Sequence, residues 1–166
     1  GSLPVAALAL DGLPGAGEVG VAAADPVAVL TGLGDLLAHM GREDEAAHHV
    51  HRALEYAPES ADAWAVLAYV RDRQQRLEEA HQLWAAALDL GPRTASSYLL
   101  HARHAMTLAQ GGGLIGDGSD RVELADAARS SLRVATDLDP SYSEAWVMRG
   151  VAAVLAFFPP TDFLAW

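Results

Sequence analysis

Apolar positions recur along this chain at the three- and four-residue spacing of one helix face, not at the alternation of a strand. Between 43 and 57, Ala46, Val50, Ala53 and Leu54 hold that spacing among Glu, Asp, His and Arg. The pattern then returns at a fixed interval. Ala46 pairs with Ala80, Ala53 with Ala87, Leu54 with Leu88, Pro58 with Pro92 and Trp64 with Tyr98, each 34 positions on. Gly34, Ala68 and Ala102 keep a small residue at the same interval. A third copy holds register through Tyr98 and Ala102, is interrupted by a glycine-rich stretch from Gln110 to Gly118, and resumes at Ala128, Leu132, Ala135, Leu138 and Pro140. The offset there is 48, so the insertion is 14 residues long. A fourth copy opens with Trp146 and Gly150 and has no recognisable second half. The pattern predicts helices near 27–40, 43–57, 62–74, 77–90, 95–109, 121–138 and 143–157. Pro58, Pro92 and Pro140 stop the second helix of each pair, because proline cannot continue the hydrogen-bond ladder. Asp25-Pro26, Ser60, Thr94 and Ser141 stand where helix starts are expected.

A helical pair cannot bury its own apolar face, so copies must stack. Small residues at 34, 68 and 102 let paired helices approach, and Trp64, Trp84, Tyr98 and Trp146 fill the spaces between pairs. Trp64, Leu67, Ala68, Ala80, Trp84, Ala87, Leu88 and Pro92 resemble the tetratricopeptide repeat (TPR) family, and Leu30, Leu33, Gly34, Gly41, Ala46, Val50, Ala53, Leu54 and Pro58 follow the same pattern. The resemblance implies an all-α fold, an α-solenoid of antiparallel helical hairpins wound in a right-handed superhelix. It divides 26–166 into repeats of about 27–60, 61–94 and 95–142, with a loop inserted at 110–120, and a partial repeat at 143–158. Residues 1–25 form a non-repeating leader. Gly1-Ser2 reads as a cloning scar, and the chain reads as a piece excised from a larger protein. The apolar stretch Leu3–Leu10 reads as a linker, or as a segment that docks on the repeats.

Composition narrows the function. Half of the chain is apolar and the net charge is −11, with eleven Arg and no Lys. An acidic chain is unsuited to the phosphate backbone of nucleic acids and to anionic lipid; neither nucleic acid nor membrane is an expected partner. The Arg-for-Lys usage with heavy Ala and Gly suggests a GC-rich bacterial genome. Without cysteine there is neither disulfide nor thiolate metal site. The compartment is not encoded here, with a lean to the cytoplasm.

Candidate chemistry is thin. His48 and His51 stand one turn apart, as metal ligands can, but the helix register turns them to solvent. His101 occupies a position held by Leu33 and Leu67 in the earlier copies, so it packs between helices. The 111–120 segment lacks the Lys of a phosphate loop and the spacing of a calcium loop. No catalytic residues, metal ligands or cofactors are assigned, and no enzyme activity is expected within these residues.

In TPR proteins the first helices of successive hairpins line the concave face. Carried over, that face would show Thr31, Asp35 and His39, then Ala65, Tyr69, Asp72 and Arg73, then Leu99, Arg103, Met106 and Thr107. The resemblance thus implies a module that binds a peptide or protein segment through Asp35, His39, Tyr69, Asp72, Arg73, Arg103 and Met106, with Tyr69 and the arginines as anchors. Family members that grip chaperone tails use a cationic carboxylate clamp; its positions here hold Thr31, Asp35, Val66, Ser96 and Leu100, so that partner class is not expected. Two alternatives stand beside groove binding. One is self-association through the apolar face of the half repeat. The other is an accessory role for an enzyme whose catalytic part lies elsewhere.

Overall fold

The computed structural model describes residues 24–111 and 118–157. Among them the chain forms seven helices and no strand: α1 (Pro26–His39), α2 (Glu43–Tyr56), α3 (Ala61–Arg73), α4 (Leu77–Leu90), α5 (Ala95–Gly111), α6 (Gly118–Leu138) and α7 (Ser143–Phe157). Each lies within three residues of its expected span. The largest differences flank the insertion, where α5 runs on through Gln110 into Gly111 and α6 starts at Gly118. Asp120 in the first turn of α6 favours that earlier start through the helix dipole. The expected leader, and 112–117 of the expected loop, lie outside the described residues.

The helices pair as α1 with α2, α3 with α4 and α5 with α6, and α7 lies against α6 and α5. The first helix of each hairpin also touches its counterpart in the next. Closeness in the first hairpin depends on Gly34, where an added Cβ would lie 2.4 Å from Val50 Cγ2. Between the first two hairpins Val50, Ala53, Leu54, Ala63, Val66 and Leu67 share one apolar cluster. Ala65, Ala68, Ala80, Trp84 and Ala87 fill the second hairpin, joined by Leu100 from α5. Leu99, Ala102, Ala105, Ala128, Leu132 and Ala135 fill the third, joined by Ala145 and Ala152 from α7.

The turns repeat as closely as the helices do. α1 and α3 each end in a pair of back-bonds, Arg42 N–H to Leu37 O with Gly41 N–H to Ala38 O, and Arg76 N–H to Arg71 O with Gln75 N–H to Asp72 O. This C-terminal motif requires a left-handed residue. Gly41 supplies it at φ +76°, and Gln75 adopts the same region at φ +61°. Asp25 caps α1 through Val27 N–H, and Ser60 caps α3 through Ala63 N–H. Thr94 accepts from Ser97 N–H at the start of α5. Ser141 is not a cap: its N–H and hydroxyl both bond Asp139 Oδ1. The indole of Trp64 donates to Pro58 O at 2.7 Å, and that of Trp146 to Pro140 O at 3.0 Å, so the Pro-to-Trp interval is a structural device.

One tie between hairpins carries no signal in the repeat. Asp62 accepts from Thr94 Oγ1 (2.9 Å), Ser97 Oγ (2.8 Å) and the N–H groups of Arg93 and Thr94, fixing the entry to α5 against the start of α3.

Candidate protein-binding groove

Asp35, Tyr69 and Arg103 stand at one repeat position on α1, α3 and α5, and His39, Arg73 and Thr107 follow one turn later on the same helices. The fold brings these columns together. The His39 ring lies 4.8 Å from the Tyr69 ring, tilted by 40°. The Tyr69 phenol feels the charges of Arg73, Arg103, Asp35 and Asp72, and burial holds its pKa above the usual tyrosine value.

Asp35 is the least ordinary member. Burial raises its carboxyl pKa, and His39 works in the opposite direction. His39 Nδ1 is 3.2 Å from Asp35 Oδ1, and among the described residues no well-directed hydrogen bond reaches that buried oxygen. His39 Nδ1 also lies 2.9 Å from the carbonyl oxygen of Asp35, which competes with the carboxylate for its hydrogen bond. Thr31 Oγ1, one turn earlier, is also buried and has no hydrogen-bond partner among the described residues.

The two cations of this face are exposed and paired loosely, Arg73 Nε to Glu43 at 3.5 Å and Arg103 Nη1 to Glu144 at 3.3 Å. Exposed pairs of this kind contribute about 0–1 kcal/mol. Both guanidiniums can therefore exchange partners at small cost. Tyr142, just before α7, joins the group. Burial and Glu144 push its phenol pKa up, Ser96 bonds it, and it senses Asp35 and Arg103. It stands at the register position of Ser60 and Thr94, one residue after Ser141, which the sequence pattern had marked as the helix start.

Four expected groove residues lie elsewhere. Ala65 and Leu99 are buried in the hairpin cores. Asp72 faces α4 and α5, because positions 65, 68 and 72 follow one helix face and that face meets the hairpin partner. Its Oδ2 accepts from Trp84 Nε1 at 3.0 Å, and its Oδ1 lies 2.7 Å from His104 Nδ1. Met106, the counterpart of Asp72 in α5, is half-buried against the third hairpin's core. Of the clamp positions, Val66 and Leu100 are buried and Asp35 is acidic.

The histidines divide as the register predicts for His48 and His51, which are exposed, and for His101, which is buried. His101 Nδ1 lies 2.7 Å from Ser131 Oγ. Burial, with smaller contributions from His104 and His81, pushes its imidazole down to about 4. His104 is buried too, a feature the sequence did not reveal, and its Nε2 lies 3.4 Å from His81 Nδ1.

The sequence matches no protein-family model and no curated protein. Solved structures do match. A thermophilic TPR protein of Thermus thermophilus aligns at 22% identity and TM-score 0.62, over 78% of this chain and 66% of that one. The first TPR domain of human RPAP3 aligns at 15% identity and TM-score 0.55, over 78% of this chain and 92% of that one. The first TPR of Spaghetti (RPAP3), bound to the HSP90 peptide SRMEEVD, aligns at 14% and 0.56, over 79% and 93%. These likenesses, with the hairpin order and the recurring turns, show that the chain has the tetratricopeptide repeat fold, an all-α solenoid of three helical hairpins followed by α7.

Proposed function

We propose that this module binds a peptide or protein segment along the face carrying Asp35, His39, Tyr69, Arg73 and Arg103. The observation that carries the reading is the column of Asp35, Tyr69 and Arg103 on successive first helices, with the His39 ring 4.8 Å from the Tyr69 ring and the Arg73 and Arg103 guanidiniums exposed beside them. A basic ligand side chain would meet the Asp35 carboxylate, whose side chain is 29% exposed, and Tyr69 would give it a flat apolar wall. Arg73 and Arg103 would receive an acidic or carbonyl-bearing stretch further along. A net charge of −11 favours segments with a basic end. The RPAP3 domain bound to an HSP90 peptide is a precedent for the fold as a peptide receptor. The absence of a cation at 31, 35, 66, 96 and 100 argues for a different ligand class here. Binding, not catalysis, is the proposed role.

The test is selection from a displayed random-peptide library on the wild-type chain, followed by affinity measurement on variants. Tyr69→Ala with Arg103→Ala should weaken selected peptides at least tenfold while far-UV circular dichroism is unchanged. Asp35→Asn should weaken those with a basic end. Peptides bound equally by all three proteins would refute the groove assignment.

A second reading, self-association, is favoured by α7. Gly150 occupies the register of Gly34, Ala68 and Ala102. Those three are buried, but an added Cβ on Gly150 would meet nothing within 4 Å. Around it Val147, Val151 and Val154 are 64%, 42% and 58% exposed. Val147, Gly150 and Val154 lie on the face where earlier first helices receive their second helix, and Val151 stands at the register of Asp35, Tyr69 and Arg103. The stripe 147, 150, 151, 154 is symmetric about its centre, so two copies crossing antiparallel would set Val147 on the partner's Val154 over the gap at Gly150. A strict monomer by light scattering at high concentration would remove this reading.

A further inference from the structure

The joint between the second and third hairpins holds chemistry that groove binding does not use. His104 on α5 is 3% exposed, and its Nδ1 is 2.7 Å from Asp72 Oδ1 on α3. A carboxylate can only accept, so Nδ1 carries the proton and Nε2 presents its lone pair. That lone pair faces His81 Nδ1 on α4 at 3.4 Å. The separation is long for a nitrogen–nitrogen hydrogen bond. It matches the roughly 3.3–3.4 Å between two nitrogens that hold one tetrahedral ion with metal–nitrogen bonds of about 2.0–2.1 Å.

The surroundings fit an ion as well. Histidine ligands to metals almost always donate their other ring N–H to a carboxylate, which fixes the tautomer and raises basicity. Asp72 already fills that role for His104, and Trp84 Nε1, donating to the other oxygen at 3.0 Å, holds Asp72 in turn. His81 is exposed, so water reaches the open side. Among the described residues no three His, Asp or Glu side chains converge as a ready-made ion site. Any ion held here has two protein ligands and completes its coordination with water.

We propose that His81 and His104 chelate one divalent transition-metal ion of the zinc class, with Asp72 behind His104, and that the ion clamps α4 to α5. The consequence is mechanical. Asp72 and His104 directly adjoin Arg73 and Arg103, so a bound ion fixes the two cationic arms of the candidate groove relative to each other. The sequence hides this pair, because 81 and 104 are 23 positions apart on different helices and neither repeats in the other copies.

The test uses the chain freed of any affinity tag and of metal, titrated with ZnCl2 and CoCl2. One ion per chain should bind, Tm should rise with Zn2+ concentration, and Co2+ should develop the visible bands of a nitrogen-ligated ion. Affinity should follow Cu2+ above Ni2+ and Zn2+ above Mn2+, and Mg2+ should have no effect. His81→Ala changes an exposed side chain and should leave the metal-free Tm unchanged while weakening Zn2+ at least tenfold. His48→Ala with His51→Ala should leave Zn2+ binding intact. The proposal is overturned if no ion binds, if His81→Ala binds Zn2+ like the wild type, or if the His48/His51 variant loses it.

Discussion

Lowering the pH should loosen this solenoid at one residue, and His101→Leu should remove the effect. His101 is buried at a position that is Leu33 and Leu67 in the earlier hairpins. Ser131 Oγ bonds its Nδ1, and the Trp84 ring lies 5.5 Å away edge-on. The charged or titratable groups around it are His104 and His81, which disfavour its proton, and Asp72, which favours it. Burial dominates, and the folded imidazole titrates at about 4 against an ordinary 6.5. Above pH 6.5 the ring is neutral in both states and its contribution to stability is complete. As pH falls from 6.5 toward 4 the unfolded chain takes a proton that the folded chain refuses, and stability is lost. Below about 4 the folded ring protonates as well and the loss levels off.

At about 1.4 kcal/mol per tenfold, the full loss is about 3 kcal/mol, of which about 1.4 is reached near pH 5.5 and about 2.5 near pH 4.5. The assay is urea unfolding followed by circular dichroism at about pH 7.5, 5.5 and 4.5, for wild type and His101→Leu. Leu restores the apolar residue of the other hairpins, and Ser131 can return its hydroxyl to its own helix. Asp35, whose raised carboxyl has the opposite sign of pH dependence, is common to both proteins and cancels in the comparison. The wild-type midpoint should fall relative to the variant by roughly 1 M urea between the highest and lowest pH, given m-values of about 1–3 kcal/mol/M. Parallel pH profiles would refute the assignment of the acid-sensitive group to His101.

Two backbone predictions follow from the turns and the glycines. Gln75→Gly should stabilise by about 0.5–1 kcal/mol, because Gln75 holds φ +61° where Gly41 serves in the first hairpin, and the left-handed region costs a non-glycine residue about 1–2 kcal/mol; an unchanged or lower Tm by calorimetry would contradict this. Gly34→Ala and Gly150→Ala should move stability in opposite directions. At 34 the new methyl overlaps Val50, a stiff and fully buried side chain, and overpacking costs about 1–3 kcal/mol; at 150 it meets nothing and gains up to about 1 kcal/mol of helix propensity. Equal effects in denaturant unfolding would show that the two sites do not differ in crowding as described.

The parts of the fold set by local periodicity were legible. Seven helices, their pairing and the column of Asp35, Tyr69 and Arg103 all follow from one interval and from proline stops. What failed depends on which face of a helix meets which neighbour. Asp72 is one turn from Tyr69 in sequence, but three residues fall about 60° short of a full turn, and that offset takes it from the groove side to the hairpin seam. There Trp84 and His104 consume both its oxygens. Asp62 gave no signal, because its partners Thr94 and Ser97 lie across a hairpin boundary and a side-chain cap of the next helix has no counterpart in the other copies. Glycine content suggested a loop through 110–120, but intrinsic propensity yielded at both ends to helices already nucleated and packed.

The position held by Leu33 and Leu67 becomes His101 and then Arg149, and this ordering has a physical consequence. Each polar replacement finds a hydroxyl on α6: Ser131 for His101, and Thr136 for Arg149 at 2.9 Å. The Arg149 guanidinium also covers the Trp146 ring at 4.7 Å. These bonds satisfy the polar groups but recover only about 1 kcal/mol each, less than the roughly 1.5–3 kcal/mol of a buried leucine. Among the described helices, cohesion therefore declines from the joint at Leu67 toward α7, where Val147, Val151 and Val154 are exposed. In a solenoid, stability is a sum of such nearest-neighbour interfaces. Opening should begin at α7 and proceed inward until it reaches the joint where Asp72, Trp84, His104 and His81 meet. Amide exchange should accordingly be fastest in α7, slower in α5 and α6, and slowest in α3, which contributes to three apolar clusters. Slower exchange in α7 than in α3 would mean that the polar joints hold as firmly as the leucines they replace.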